Sequence, residues 1–257
     1  MSLLKRWQAW RESRAVARRP IPGDLWKRTL IRYPFLQRRD AALQAELRRL
    51  TSLFLDSKEF TATSGLRLGN DVVVAIAAQA CLPVLRLGLA RYSGFVGIVV
   101  HPDQVVARRE VSDGDGIVHV YDEVLSGEAM QGGPLMLSWR DVRSAGHSAS
   151  SGYNVVIHEF AHVLDMAHGQ PDGVPLQPGD ALAKEWQAVF TAEYKRFVAL
   201  VDAQESTLLD PYGAQSPEEF FAVASEVFFV SPAAMAQQHP ALYGMLSRFY
   251  RQDPLTD

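Results

Sequence analysis

The chain has 257 residues, 47% of them hydrophobic, enough to bury a substantial core in one large domain. Its 26 basic and 29 acidic side chains give a formal net charge of -3, so there is no overall basic field for direct nucleic-acid binding. The one cysteine, Cys81, lies in an apolar run and has no partner in the chain for a disulfide, which fits a reducing, cytoplasmic compartment and the role of a small buried hydrophobe.

Residues 1–22 read as a basic N-terminal extension, with Lys5, Arg6, Arg11, Arg14, Arg18 and Arg19 against the single acid Glu12. The extension lacks the continuous apolar core of a secretory signal. With Leu3, Leu4, Trp7 and Trp10 it reads as a solvated flexible segment, or else as one that touches a membrane surface or a partner. Pro20, Pro22 and Gly23 break this first helical stretch. Leu43, Leu47, Leu50 and Phe54 then recur at i, i+4, i+7 and i+11, the spacing of one helix face. Asn70 or Asp71 caps a helix over 72–80, which Pro83 ends. The apolar run 72–85 is shorter than the roughly 20 residues that span a bilayer, so no transmembrane helix is expected. Residues 95–100, 117–121 and 135–139 are apolar or β-branched runs between Gly, Asp and Pro clusters, and predict a small sheet. Asp113-Gly114-Asp115-Gly116 has only the opening of a calcium loop and reads as a turn. Helices are predicted over 181–201, 217–230 and 240–250, with one more over the motif described next. The whole is a mainly helical α+β fold, with 23–257 as a single domain.

Val155-Val156-Ile157-His158-Glu159-Phe160-Ala161-His162 contains H-E-x-x-H. On a helix His158 and His162 lie one turn apart on the same face and reach one zinc ion, while Glu159 beside them acts on its water. The letters arise by accident in roughly one chain in a hundred or two of this length. Phe160 and Ala161 at the x positions argue against accident, because an apolar helix is buried and buried imidazoles need a partner. A catalytic zinc takes three protein ligands, and the residues offer two candidates for the third. His168 falls ten residues after His158, the outer spacing of H-E-x-x-H-x-x-G-x-x-H, but Asp165 stands where the glycine turns the chain. Glu219, two residues into a helix begun by Pro217, gives a two-His-one-carboxylate set instead. Asp165, one turn beyond His162, and Glu226, seven residues after Glu219, are placed to orient the ligands. Residues 135–139 suit an edge strand that pairs with an extended peptide.

His158-Glu159-Phe160-Ala161-His162-Val163-Leu164-Asp165, Tyr212, Glu219 and Cys81-Leu82-Pro83-Val84-Leu85 together resemble the Mlc titration factor A family. Gly116-Ile117-Val118-His119, Leu137-Ser138-Trp139, Gly173-Val174-Pro175 and Phe249-Tyr250-Arg251-Gln252-Asp253-Pro254-Leu255 extend the resemblance over most of the chain. It implies a cytoplasmic zinc metallopeptidase of aminopeptidase type that acts on peptide substrates and binds the glucose repressor Mlc. It also implies a zincin-like fold, with a catalytic core similar to anthrax lethal factor. Carried residue by residue, it implies zinc on His158, His162 and Glu219, the general base at Glu159 and oxyanion support from Tyr212. His119 matches a family histidine that reaches the metal, a fourth ligand that would make the enzyme latent. The alternative function is then a latent zinc protein that acts mainly as a repressor-sequestering binding module. The basic N-terminal extension departs from the family pattern.

Overall fold

A computed structural model describes residues 3–112, 118–145, 152–175 and 180–257. In chain order these form α1 (Leu3–Arg18), α2 (Gly23–Arg32), α3 (Ala41–Ser57), β1 (Glu59–Ala62), α4 (Asn70–Cys81), β2 (Gly97–His101), β3 (Val105–Ser112) and β4 (Val118–Leu125). There follow β5 (Gly127–Ala129), β6 (Leu135–Ser138), α5 (Trp139–Ser144), α6 (Val155–Asp165), α7 (Asp180–Asp202), α8 (Pro217–Val230), α9 (Pro232–Gln238) and α10 (Pro240–Tyr250). The fold is α+β and mainly helical.

The stripe Leu43, Leu47, Leu50 and Phe54 is the buried face of α3, as its spacing predicts. Asp40 caps that helix, its carboxylate accepting from the Leu43 amide. Helix α4 is apolar nearly all round and buried from Ala75 to its end, so Cys81 is fully enclosed and burial pushes its thiol up. Its N-cap is Gly69 rather than Asn70 or Asp71, and no side chain caps it. The basic segment is a helix laid against α3, where Arg18 pairs with Asp56 at the far end of α3 and Arg49 pairs with Glu12.

The predicted single sheet is in fact two. β1, β2 and β6 run parallel, and β5 pairs antiparallel with β6, giving the order β1-β2-β6-β5. The segment predicted over 117–121 lies from Val118 onward in β4, which pairs only with β3 in a separate hairpin. The turn read at 113–116 lies outside the described residues. The run over 135–139 is β6, but β2 and β5 occupy both of its sides, so the edge strand next to it is β5, with β1 at the opposite edge. Trp139 leaves the strand because Ser138 caps α5, its hydroxyl accepting from the Asp141 amide. Ile98, Val100, Leu135 and Leu137 bury the sheet against the helices, and α6 lies across β5 and β6. No single helix among the described residues is long and apolar enough to cross a membrane.

Candidate metal centre

Asn154 begins α6, its side-chain oxygen accepting from the Ile157 amide at 3.0 Å. Its own amide group donates to Gln79 Oε1 at 2.8 Å, which ties the start of α6 to α4. The apolar faces of α6 then fix its rotation. Phe160 inserts between Phe54, Tyr92 and Phe95, with ring centroids 5.6, 4.8 and 5.9 Å away. With Phe160 held inside, His158 and His162 point out of the core into a cleft, each side chain 12% exposed.

The partner comes from α8. Ser216 caps that helix by accepting from the Glu219 amide at 3.3 Å, and Pro217 occupies its first turn. Ser-x-x-Glu is the spacing of a capping box, in which the glutamate would turn back to the cap amide. Here the Glu219 carboxylate faces α6 instead, with Oε2 3.0 Å from His158 Nε2 and 3.5 Å from His162 Nε2. The two Nε2 atoms are 3.2 Å apart. The ligand atoms of His158, His162 and Glu219 thus lie within 4.8 Å of one another.

Three electron-rich atoms at this separation need positive charge among them. Glu226, two turns along α8, is 3% exposed and takes the opposite nitrogen of His158, Oε1 to Nδ1, at 2.8 Å. Where a cation replaces the proton on Nε2, an imidazole that donates through Nδ1 would present its Nε2 lone pair to that cation between Glu219 and His162. Glu219 Oε2 is buried and, among the described residues, receives no hydrogen bond of good geometry despite its closeness to the imidazoles. Burial disfavours charge on His158, yet Glu219 and Glu226 outweigh it and hold the imidazole well above its usual range. Burial would likewise raise the Glu219 carboxyl, but the two imidazoles hold it down at about 2. Two imidazole nitrogens and a carboxylate oxygen around an unsatisfied buried atom fit a divalent cation such as zinc.

Glu159 points to the other side of the same cleft. It is 4% exposed, and burial raises its carboxyl against the pull of His158 and His162. Strand β5 covers it so closely that a Cβ at Gly127 would fall 2.4 Å from Glu159 Oε1. Glycine is therefore the residue that fits at Gly127, and Gly127→Ala must displace the carboxylate. We expect kcat for peptide hydrolysis to fall about 10²-fold with metal content and melting temperature retained; unchanged turnover would show that the placement of Glu159 is not critical.

The other predicted residues fall as follows. The Tyr212 ring is 40% exposed over the cleft, its centroid 6.1 Å from that of His158. His119 stands opposite Val111 in the β3–β4 hairpin, and its side chain lies outside the described residues. The chain does turn after His162: α6 ends at Asp165 and a short 3-10 turn, Met166–His168, follows. The His168 side chain also lies outside the described residues. Asp165 accepts from the Gly173 amide at 2.8 Å, and so braces the loop between α6 and α7. Gly173 has φ +75°, and a Cβ there would meet the Pro217 carbonyl at 2.5 Å. Sequence reasoning passed over Gly127, which carries no local signal, and Asn154, which the cap rule finds as a polar residue just before an apolar helix.

A buried glutamate beside two imidazoles and a distal carboxylate is the donor set of a metal-dependent hydrolase. The profile of the glucose-regulated metallo-peptidase M90 family matches residues 7–251, beginning inside the basic helix α1. The chain belongs to this family of metallopeptidases. It is 36% identical over 233 residues to Mlc titration factor A of Salmonella arizonae, covering 90% of this chain and 91% of that protein. The Mlc titration factor A of Klebsiella pneumoniae is also 36% identical, over 90% of this chain and 86% of its own length. An uncharacterized protein of Synechocystis, slr2042, is 35% identical over 97% of this chain and 90% of its own.

Proposed function

We propose that this chain is a zinc-dependent peptidase of aminopeptidase type, with a zincin-like fold and α6 as the active-site helix. The observation that carries the proposal is the convergence of His158, His162 and Glu219 beside Glu159, beneath an edge strand. His158, His162 and Glu219 would hold the ion. When bound, zinc supplies Lewis acidity and lowers the pKa of a water toward neutrality. Glu159 takes the proton of the attacking water and passes it to the leaving amine, and Glu226 holds His158 in the tautomer that keeps Nε2 free. The Tyr212 phenol donates a hydrogen bond to the oxyanion. Tyr212→Phe is then expected to lower kcat about 10²-fold with metal retained, measured against a peptide substrate; unaltered kcat would remove it from the mechanism.

The cleft over the ligands, about 260 Å³, is lined by Gly127, Glu128, Ala129 and Glu218 beside the site residues. It continues into a hollow of about 310 Å³ lined by Ser126 and Asp210. Among the described residues neither has a lysine or arginine in its wall, a polarity that suits the free ammonium of a peptide N-terminus. On the other side the cleft shares Ala129 and Met166 with a hollow of about 460 Å³ that carries Arg91, a place for the downstream residues. An extended peptide along this groove lies beside β5 and can pair with its free edge. The relatives are named Mlc titration factor A, and we include binding of Mlc, and a cytoplasmic location, in the proposal.

Chelation followed by metal readdition tests the reading. Hydrolysis of alanyl or other aminoacyl reporter peptides should vanish on dialysis against a chelator and return with one equivalent of zinc per chain. Activity indifferent to chelation would overturn the proposal.

A further inference from the structure

Helix α1 turns its two indoles to solvent. Trp7 and Trp10 are 56% and 54% exposed, whereas Trp26 and Trp186 are buried. At 3.6 residues per turn, Glu12, Ala15 and Val16 share one side of the helix, and that side meets α3. Ala15 is buried there, and Glu12 pairs with Arg49. The opposite arc carries Arg6, Trp10, Arg14, Trp7 and Arg11 in angular order. The Arg11 guanidinium lies 4.7 Å from the Trp7 ring centroid, and that of Arg14 lies 5.1 Å from Trp10. Arg18 is neutralised by Asp56, but Arg6, Arg11 and Arg14 have no carboxylate within ion-pair distance among the described residues.

The charge of the whole chain sharpens the asymmetry. Six basic residues against one acid give residues 1–22 a net +5, so the net -3 of the chain leaves -8 on the remainder. Residues 23–50 are also basic, seven basic side chains against three acidic, so α1 together with the α2–α3 segment beside it is the positive pole and the acidic excess lies in the rest of the chain.

We propose that the outer face of α1 is a docking surface for an anionic lipid bilayer, on which the protein rests reversibly without spanning it. Exposed indoles beside guanidinium groups match the headgroup layer, where the ring is apolar on its body and wet at its N–H, and arginine meets lipid phosphate. A planar bilayer touches the positive pole alone. A polyanion long enough to wrap the protein meets the acidic remainder, and a second copy of the chain would set Arg6, Arg11 and Arg14 against their own images.

Flotation of the full-length protein with vesicles tests this. It should float with vesicles of equal parts phosphatidylcholine and phosphatidylglycerol, not with phosphatidylcholine alone, and binding should weaken as salt rises. Brominated acyl chains should quench part of the tryptophan fluorescence, a readout that needs no variant. The combined Arg6→Gln, Arg11→Gln and Arg14→Gln variant should bind about a hundredfold more weakly, and Trp7→Ser with Trp10→Ser about tenfold more weakly. The idea is overturned by absence of flotation with anionic vesicles, or by flotation and quenching indifferent to both variants. It is equally overturned if the same variants chiefly abolish binding to single-stranded RNA or to polyglutamate, or abolish a concentration-dependent dimer.

Discussion

Glu159→Gln is expected to keep one metal ion per chain and to lose peptide hydrolysis by two to four orders of magnitude, the range of a positioned general base. The substitution preserves the size of the side chain, which matters because Gly127 leaves it no room to move. It leaves His158, His162 and Glu219 untouched, so the ion should stay. What it removes is the proton acceptor: an amide takes no proton from water at neutral pH. Burial raises the Glu159 carboxyl, moving it toward the pH at which a base both accepts and returns a proton efficiently. Elemental analysis and kcat on one purified preparation decide the matter. Turnover within tenfold of the parent would end the general-base assignment, and loss of the ion would mean that Glu159 organises the ligands. The same variant separates catalysis from any binding role, since capture of a partner needs no base.

The motif helix was legible because its chemistry and its burial are written in the same letters. His158, Glu159 and His162 stand among Val155, Val156, Ile157, Phe160 and Ala161, so the residues that demand a partner are those the apolar neighbours force inward. The long helices α3, α7, α8 and α10 were legible for the simpler reason that their apolar spacing or their Pro starts are strong local signals. Most of what escaped was short or decided at a distance; the exception is the eight-residue β3, whose Arg108, Arg109 and Glu110 hid its strand character. β1 has four residues and β5 three, too few to show a period, and both exist because β2 and β6 are there to pair with them. α2, α5 and α9 are brief helices set by Pro22, Ser138 and Pro232 at their starts. The edge position moved from β6 to β5 for the same reason, since strand order is a property of the sheet and not of any one strand. Asp165 and Glu226 look alike in sequence, each one or two turns from a ligand, but Glu226 reaches the His158 imidazole while Asp165 takes the Gly173 amide. Their difference lies in the loop that returns Gly173 to Asp165.

The third ligand is where sequence left two answers, and it yields the other large expected effect. Glu219→Ala is expected to leave no ion bound after exhaustive dialysis, a loss of affinity of more than about a hundredfold, while His168→Ala keeps one ion per chain. Without Glu219 the site retains two imidazoles from one helix, a bidentate hold where three donors converge now. Loss of folding does not supply a rival explanation, because the start of α8 rests on Ser216 Oγ and the Glu219 backbone amide, neither of which the substitution removes. Glu219→Gln adds a finer cut. It keeps the shape of the side chain but replaces the carboxylate, held at about 2 by the imidazoles, with a neutral amide beside the same two nitrogens. If charge is what the site requires, Glu219→Gln should lose the ion nearly as fully as Glu219→Ala. If Glu219→Ala kept its ion, the third donor would have to be sought elsewhere, with His168 and then His119 the next to remove. α8 would then stand beside α6 for packing alone. That reading would leave the buried Glu219 Oε2, 3.0 Å from one imidazole nitrogen and 3.5 Å from the other, only an ion pair with a protonated His158.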